Sequence, residues 1–256
     1  MTKWNAFQYL RYGSERTRAA ADLVARINLD APQNIADVGC GPGNSTSLLW
    51  QRWPRSNVLG IDNSPEMIDA ARTTFPERQW SLCDAGSWNP QHTFDLVYSN
   101  AALQWLPDHE HLLHRLLGHV SEGGALAFQI PSATYATVRE LIFEISRKSE
   151  WDHRMSGPRS VLTMEPPTFY YDTLITDSVS LDLWETEYLH VLDSKSAIVD
   201  WIASTGLRPF LDALDTDAER RSFTNELQRR VDDTYETRCD GKVLFPFRRT
   251  FVIAYR

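Results

Sequence analysis

The residues with the clearest chemistry lie in a glycine-rich turn near the start of the chain and at the end of the next apolar segment. The turn runs from Asp37 through Gly39, Gly41 and Gly43. Glycines in such a turn let the backbone approach a ligand closely, because no Cβ stands in the way. Asp62 closes the following apolar segment, where a carboxylate suits a bidentate grip on a ribose diol. Together these residues predict a site for an adenosine-containing cofactor.

The spacing of the glycines separates two classes of cofactor. Dinucleotide sites carry G-x-G-x-x-G and point a helix N-terminus at a pyrophosphate. Here the pattern is G-x-G-x-G, with Pro42 inside the turn and Asp37 just before the first glycine. A carboxylate repels a pyrophosphate but attracts an ammonium or sulfonium group. The pattern resembles class I S-adenosylmethionine-dependent methyltransferases, which implies S-adenosyl-L-methionine as cofactor and S-adenosyl-L-homocysteine as product.

Composition limits the classes of function. The chain has 256 residues and a formal net charge of -8, which argues against a nucleic-acid or membrane-surface binder, because either would show a basic face. Cys40, Cys83 and Cys239 have no C-x-x-C spacing and predict reduced thiols in a cytoplasmic protein. No signal peptide or membrane-spanning segment is expected. His111 and His114 lack further ligands nearby, so no metal site is expected either.

Apolar segments that alternate with helical patterns predict an α/β fold with a parallel sheet. The predicted strands are 35–38, 58–61, 80–83, 94–99, 125–130 (after a turn at Gly123-Gly124), 181–192 and 244–255. The predicted helices are 14–27, 45–53, 65–75, 108–120, 133–148, 196–204 and 218–233, and residues 150–173 are expected to be irregular. Ser14 and Ser64 are expected N-caps, and Pro65 suits the first helical position.

One methyltransferase domain is predicted over residues 1–256, in four parts. Its parts are an N-terminal helical lid at 1–30, a cofactor-binding core at 31–131, a mainly helical cap with substrate elements and a late strand at 132–242, and a final strand at 243–256. The resemblance implies a Rossmann-like, seven-stranded mixed sheet with helices on both faces. It also implies that the last strand is antiparallel.

In an open α/β sheet, ligands bind beyond the carboxyl ends of the strands, where the strand order reverses. The resemblance therefore implies that the loops after the first four strands hold the cofactor, through Asp37, Gly39, Gly41, Gly43, Asp62, Asn63, Met67, Asp84, Ala85 and Asn100. It implies that Asp84 and Ala85 face the adenine, with Met67 and Trp88 beside the ring. It implies further that Asn100, Gln104 and Trp105 position the methyl group.

Three other segments resemble the bacterial trans-aconitate 2-methyltransferase family. They are Trp4–Arg16, Leu103–His109 and Ile202–Pro209, and with the cofactor motif they extend the similarity over essentially the whole chain. The resemblance implies transfer of a methyl group to a carboxylate oxygen of trans-aconitate, a small tricarboxylate, giving the monomethyl ester. A carboxylate with an ordinary pKa is ionised at neutral pH, so no general base is expected.

A tricarboxylate needs local cations on a protein of negative net charge. Arginine suits this task, because its planar fork binds carboxylates bidentately. Arg249 is favoured because it shares a strand face with Phe251 and Ile253, and Arg208 lies in a family-like segment. The expected substrate-binding residues are Tyr9, Arg16, Trp105, Tyr170, Arg208 and Arg249, with Arg154, Arg159, Arg248, Tyr12 and Tyr171 as further candidates.

Several alternatives stay open at this point. The acceptor is either trans-aconitate or another acidic metabolite, including a carboxylate on an acyl carrier. A nucleotide-binding oxidoreductase and a non-catalytic binding module are the competing classes, and the glycines could also serve tight packing alone. The expected partner is a small-molecule tricarboxylate, without nucleic acid or membrane. The chain is expected to be a monomer or a weak homodimer.

Overall fold

The structure is a computed structural model that describes residues 13–133, 137–203 and 205–256, with the backbone alone for residues 13–16. Its strands are β1 (Asn34–Val38), β2 (Asn57–Asp62), β3 (Gln79–Leu82), β4 (Phe94–Asn100), β5 (Val120–Pro131), β6 (Ser180–Leu192) and β7 (Val243–Tyr255). Its helices are α1 (Gly13–Arg26), α2 (Thr46–Arg52), α3 (Pro65–Thr74), α4 (His109–Gly118), α5 (Thr137–Ser146), α6 (Asp152–Ser160), α7 (Pro167–Leu174), α8 (Lys195–Ala203), α9 (Arg208–Asp212) and α10 (Asp217–Thr234). Within the described ranges, no helix is long and apolar enough to cross a membrane.

The strands form one seven-stranded sheet in the order β3-β2-β1-β4-β5-β7-β6. β1 to β5 pair in parallel, and β7 runs antiparallel to β5. The predicted α/β, Rossmann-like mixed sheet is therefore confirmed. The order reverses between β1 and β4, which are neighbours, so the loops that follow these two strands emerge side by side.

The central strands are buried on both faces, as expected for parallel strands between layers of helices. Val38, Val97 and Phe128, on β1, β4 and β5, belong to one apolar cluster. Leu113 and Leu116 of α4 join the same cluster from one helical stripe. This core holds the carboxyl ends of the strands in fixed positions.

The described residues divide into two compact units, and two of the divisions fall within β6 and β7. The unit that we call the sheet unit holds residues 13–133, 163–186 and 249–256. The unit that we call the helical unit holds residues 137–162, 187–203 and 205–248. Residues 163–186 thus group with the sheet, whereas the predicted cap covered 132–242 as a whole. The action of the helical unit as a cap stays a prediction.

Residues 150–173 are not irregular, which corrects the prediction. They contain α6, in which Pro158 lies near the end, and α7, which begins at Pro167. Proline fits the first turn of a helix because its missing N–H has no partner there anyway. Pro158 lies in the last turn of α6, beyond the first turn where proline is favoured, and Met155 anchors the helix by complete burial.

Two local predictions also change. β5 begins at Val120 and includes Gly123-Gly124, so these glycines mark an irregularity in the register with β4 rather than a turn before the strand. Ser14 lies within the described range of α1, Gly13–Arg26, with helical backbone, so it is not the N-cap of this helix. Ser64 is confirmed as an N-cap, since its hydroxyl accepts from the Met67 N–H, and Pro65 follows at the first position of α3.

Candidate functional site

The glycine turn after β1 packs directly against the loop after β4. The Gly39 and Cys40 N–H groups donate to the Ile61 carbonyl over 2.8 and 3.0 Å, which ties the turn to β2. Gly39 has a positive φ of 75°, and a Cβ there would lie only 2.2 Å from the Ala102 Cβ. The first glycine is therefore needed for the close approach of the two loops that flank the reversal point.

Asp62 is held at the edge of this turn by two backbone donors. Its Oδ2 accepts from the Gly41 N–H and its Oδ1 from the Ser64 N–H, each over 2.9 Å. Burial raises the pKa of Asp62, and the backbone hydrogen bonds oppose the shift. Apart from its two neighbours in the chain, no residue that the structure describes has an atom within 4 Å of the place where a Cβ on Gly41 would stand. A ligand can therefore reach both the open Gly41 backbone and the fixed carboxylate.

Asp37 has one buried carboxylate oxygen without a partner. The Thr46 hydroxyl donates to its Oδ2 over 2.6 Å, whereas its Oδ1 has no hydrogen-bond partner within the described part of the chain. Burial raises the pKa of Asp37 to about 7, the Thr46 hydrogen bond lowers it, and the charge of Asp62 adds to the rise. An unsatisfied buried carboxylate is costly. This environment therefore favours a cationic or hydrogen-bond-donating ligand group.

The loop after β3 presents the expected acid. Asp84 is exposed, and its Oδ1 accepts from the Gly86 N–H over 2.7 Å. Arg115 of α4 fixes this loop by donating to the carbonyls of Ala85, over 2.6 Å, and Trp88. Sequence reasoning missed Arg115, because its partners are about thirty positions away and only the packing of α4 reveals them.

Trp88 and Met67 were expected beside the adenine, and both side chains are buried. Trp88 is buried in the apolar core against Phe94 and His119, which argues against a place beside a ligand. Met67 is buried in α3, so its contact with an adenine stays a prediction. Asn63 is exposed next to Asp62, where a ligand can reach it.

A series of hydrogen bonds between polar groups holds the loop after β4, and the sequence did not indicate it. The Gln129 Nε2 donates to the Asn100 Oδ1 over 2.5 Å, and the Gln129 carbonyl accepts from the Ala101 N–H over 2.9 Å. The Arg249 Nη1 lies 3.5 Å from the Gln129 Oε1 and donates to it. Gln129 and Arg249 are both buried. Arg249 therefore lies inside the sheet unit, close to Asn100.

Gln104 and Trp105 form part of a short 3-10 turn at Leu103–Trp105. The Gln104 side-chain Nε2 donates to the Ala101 carbonyl over 2.6 Å. The main-chain carbonyl of Gln104 accepts from the Thr163 N–H over 2.8 Å. Ala101 has a positive φ of 55°, which is uncommon for a residue with a Cβ. Gln104 thus supports a strained loop from within, and Trp105 is half-buried beside it.

Tyr170 does not occupy the environment expected of a substrate ligand. It is fully buried, and its hydroxyl contacts the His109 Nδ1 at 2.9 Å and accepts from the Glu165 N–H at 3.0 Å. The His109 Nε2 donates to the Leu103 carbonyl over 3.0 Å. Its Nδ1 therefore accepts a hydrogen bond from the Tyr170 hydroxyl. Burial lowers the pKa of His109, which keeps this arrangement neutral. The Tyr170 proton is therefore committed to a contact within the protein.

Most candidate arginines of the helical unit are already paired. Arg154 bonds to Asp215 and Glu219 over 2.8 and 2.6 Å. The other pairs are Arg159 with Asp152 at 2.8 Å, Arg208 with Asp212 at 3.8 Å, and Arg248 with Glu187 at 3.5 Å. Tyr171 is exposed. Tyr9, Tyr12 and the Arg16 side chain lie outside the described residues.

Arg139 on α5 differs from these arginines because it has no carboxylate partner among the described residues. The sequence did not single it out. Its Nε is buried without a hydrogen-bond partner, and among the described residues it forms no ion pair with a carboxylate. Its guanidinium lies 4.7 Å from the centroid of the Phe143 ring. Burial lowers its pKa. A half-buried cation without a counterion is costly and favours an anionic ligand.

Comparison with known proteins agrees with these features. A family model described as "Methyltransferase domain" matches residues 35–124. The trans-aconitate 2-methyltransferase of Azoarcus sp. (strain BH72) is 43% identical over 256 residues, which is 100% of both chains. That of Methylobacterium radiotolerans is 42% identical over 257 residues, covering 99% of this chain and 98% of the relative. The crystal structure of the YcgJ protein from Bacillus subtilis shares the fold, with a TM-score of 0.60, 13% identity and coverage of 93% and 99%.

Proposed function

Because the chain belongs to the trans-aconitate 2-methyltransferase family and is an S-adenosylmethionine-dependent methyltransferase, we propose that it methylates a carboxylate oxygen of trans-aconitate. The products are the monomethyl ester and S-adenosylhomocysteine. The observation that carries the choice of acceptor is the similarity to the named relatives over the full length of the chain. The geometry of the loops after β1 to β4 supports the binding of the donor.

The sheet unit fits the methyl donor. Asp62 and the open Gly41 backbone suit the ribose hydroxyls, and Asp84 suits the adenine amino group. The unpartnered Oδ1 of Asp37 suits the positive charge of the amino-acid part. Gly43, Asn63, Met67 and Ala85 complete the proposed set. When bound, the donor supplies an electrophilic methyl group on a sulfonium sulfur.

The acceptor needs positioning rather than activation. Its carboxylates are ionised at neutral pH, so no side chain has to remove a proton. The alignment of two bound reactants contributes roughly 7–11 kcal/mol in favourable cases. Asn100 is proposed to orient a reacting group through its amide. Gln104 and Trp105 are proposed to hold the loop and exclude water.

Guanidinium groups are proposed to bind the acceptor carboxylates. Arg249 is buried in the sheet unit close to Asn100 through Gln129. Arg139 has no carboxylate partner in the described residues of its own unit, so it joins Arg208 as a candidate from the helical unit. Tyr9 and Arg16 stay predictions, and Tyr170 is better explained as a structural residue. A cytoplasmic location and a monomer or weak homodimer are likewise predictions.

The test is transfer from radiolabelled methyl donor to a panel of trans-aconitate, cis-aconitate, citrate, isocitrate and an acyl carrier that bears a carboxylate. We expect base-labile label in trans-aconitate well above the other acids. Label chiefly in another acid, or in the carrier, would replace the acceptor but keep the reaction. Reduction of a nicotinamide cofactor without methyl transfer would overturn the reaction itself.

A further inference from the structure

Gln129 connects a buried charge to a residue of the proposed methyl-transfer site. It lies on β5, its side chain is almost completely buried, and it contacts Arg249 on one side and Asn100 on the other. The register places Gln129 opposite Asn100 on β4 and opposite Phe251 on β7. The side chain of Gln129 therefore bridges two strands that pair with its own.

The charge of Arg249 dictates the orientation of both amides. A guanidinium donates hydrogen bonds and accepts none, so the Gln129 side chain must turn its Oε1 toward Arg249. Its Nε2 then faces Asn100, which has to present Oδ1 as the acceptor. The Asn100 Nδ2 is left on the other side of the carboxamide. The orientation of an asparagine is thus set by an arginine that lies beyond its direct neighbour.

We propose that Gln129 is a positioning residue that makes the Asn100 Nδ2 a hydrogen-bond donor to a carboxylate oxygen of a bound ligand. The proposal rests on the proposed function, because the ligand carboxylate belongs either to the methionine part of the donor or to the acceptor. In either case the donor N–H is oriented before the ligand binds, so little reorganisation accompanies the reaction. Gln129 itself touches no ligand.

The test replaces the side-chain NH2 of Gln129, which donates a hydrogen bond, by an oxygen, and it keeps the shape of the side chain. In Gln129→Glu, Arg249 retains an acceptor, but Asn100 loses its donor and has to turn its own Nδ2 toward the new carboxylate. The Asn100 Oδ1 then faces the ligand carboxylate and repels it. Gln79→Glu is the matched control, because it adds the same charge at an exposed position at the start of β3.

Two readouts distinguish the two ligands. If Asn100 binds the carboxylate of the methyl donor, calorimetry shows about 10- to 100-fold weaker binding of S-adenosylhomocysteine to Gln129→Glu. This loss corresponds to one charge-assisted hydrogen bond. The decarboxylated analogue of S-adenosylhomocysteine then binds wild type and variant equally. If Asn100 serves the acceptor, kcat/KM for trans-aconitate falls in Gln129→Glu and also in Gln129→Met, which removes the hydrogen bond to Asn100 without adding a negative charge beside Arg249, while S-adenosylhomocysteine binding is unchanged. Gln79→Glu changes neither.

The outcomes separate this inference from the proposed function. A folded Gln129→Glu with unchanged product affinity and unchanged kcat/KM would overturn the inference. A lower Tm with both ligand readouts unchanged would also overturn it, because Gln129 would then be structural only. If the wild-type protein methylates none of the acids but Gln129→Glu still weakens S-adenosylhomocysteine, the acceptor assignment fails and the inference stands. If product binding is also unchanged in that case, both fail.

Discussion

At the residue scale, the Asp37 Oδ1, which has no hydrogen-bond partner among the described residues, restricts the ligand. Thr46 satisfies the other oxygen, and the burial of the whole carboxyl group raises its pKa to about 7. A group with this pKa changes charge in the ordinary working range of an enzyme. A nearby positive charge favours the ionised form and lowers the pKa again. Binding of a cationic ligand and ionisation of Asp37 are therefore linked.

The affinity for S-adenosylhomocysteine is expected to depend on pH through Asp37. The free protein has a pKa of about 7 at this residue, and the bound protein has a lower one. Binding therefore releases a proton below pH 7, and the affinity falls by up to about tenfold per pH unit as the pH decreases from 7 toward 5. Calorimetric titrations across this range measure the effect. Asp37→Asn should bind more weakly and lose most of this dependence; the same slope in the variant would assign the proton to another group.

Arg139 provides a second prediction for a single residue. In Arg139→Met, a half-buried charge without a carboxylate partner disappears while the contact with Phe143 is largely kept. We expect the Tm of the ligand-free protein to stay equal or rise, because burial of an unpaired charge is costly. We also expect the KM for trans-aconitate to rise by about tenfold or more, with the KM for S-adenosylmethionine almost unchanged.

The control for Arg139 is Arg147→Met, which removes an exposed arginine just after the same helix. It should change neither KM nor Tm. A lower Tm for Arg139→Met, with an unaltered KM for trans-aconitate, would show that Arg139 serves packing rather than the acceptor. Equal increases in both KM values would point to a distortion of the whole protein.

At the residue scale, the sequence predicts what is local and misses what is not. The places of Asp37 and Asp62, at the ends of β1 and β2, could be predicted because they follow from spacing within one β-α-β unit. Gln129 and Arg115 could not, because their partners lie about thirty residues away or more. The hydrogen bonds of Tyr170 were not predictable for the same reason, since only the structure shows that its hydroxyl contacts His109 and Glu165.

At the element scale, the segment from Asn100 to Asp108 is held at several points by hydrogen bonds. It contains two non-glycine residues with positive φ, Ala101 and Asp108. Gln129 holds its start through a side chain and a carbonyl, and His109 holds its middle through the Leu103 carbonyl. α7 adds a further tether, because Tyr170 bonds to His109. This tether is what keeps a strained loop in one conformation.

Tyr170→Phe tests this tether. The change leaves the His109 Nδ1 and the Glu165 N–H without their hydroxyl partner. We expect the free energy of unfolding to fall by about 1–3 kcal/mol, the usual cost of leaving buried polar groups unsatisfied. Urea denaturation measures the loss. A KM for trans-aconitate that rises steeply in a variant of unchanged stability would restore Tyr170 as a substrate ligand.

The elements themselves were predictable in proportion to their periodicity. All seven strands, together with α1 to α5, α8 and α10, correspond to segments with clear apolar patterns and turn signals. α6 and α7 were missed because Pro158, Pro166 and Pro167 were interpreted as helix breakers. Two of these prolines lie at the start of α7, where proline is compatible with a helix. The short helix α9 has only five residues and gives no periodic signal.

At the scale of the whole molecule, the strand order and the net charge are the two features that bear on function. The seven-stranded order places β7, which runs antiparallel to β5, between β5 and β6. A net charge of -8 gives a tricarboxylate no general attraction. Binding of the acceptor therefore requires particular guanidinium groups, which is why the arginines decide whether the proposed function is correct.

The most direct measurement is the identification of the product formed from trans-aconitate and a donor with an isotopically labelled methyl group. Proton and carbon NMR of the purified product should show the label in a single ester methyl on one carboxylate of trans-aconitate. Production of S-adenosylhomocysteine should match the ester mole for mole. Three results would contradict carboxylate methylation of trans-aconitate. They are a labelled methyl group on a carbon atom of the acid, label only in methanol formed by methyl transfer to water, and no turnover although the methyl donor is bound.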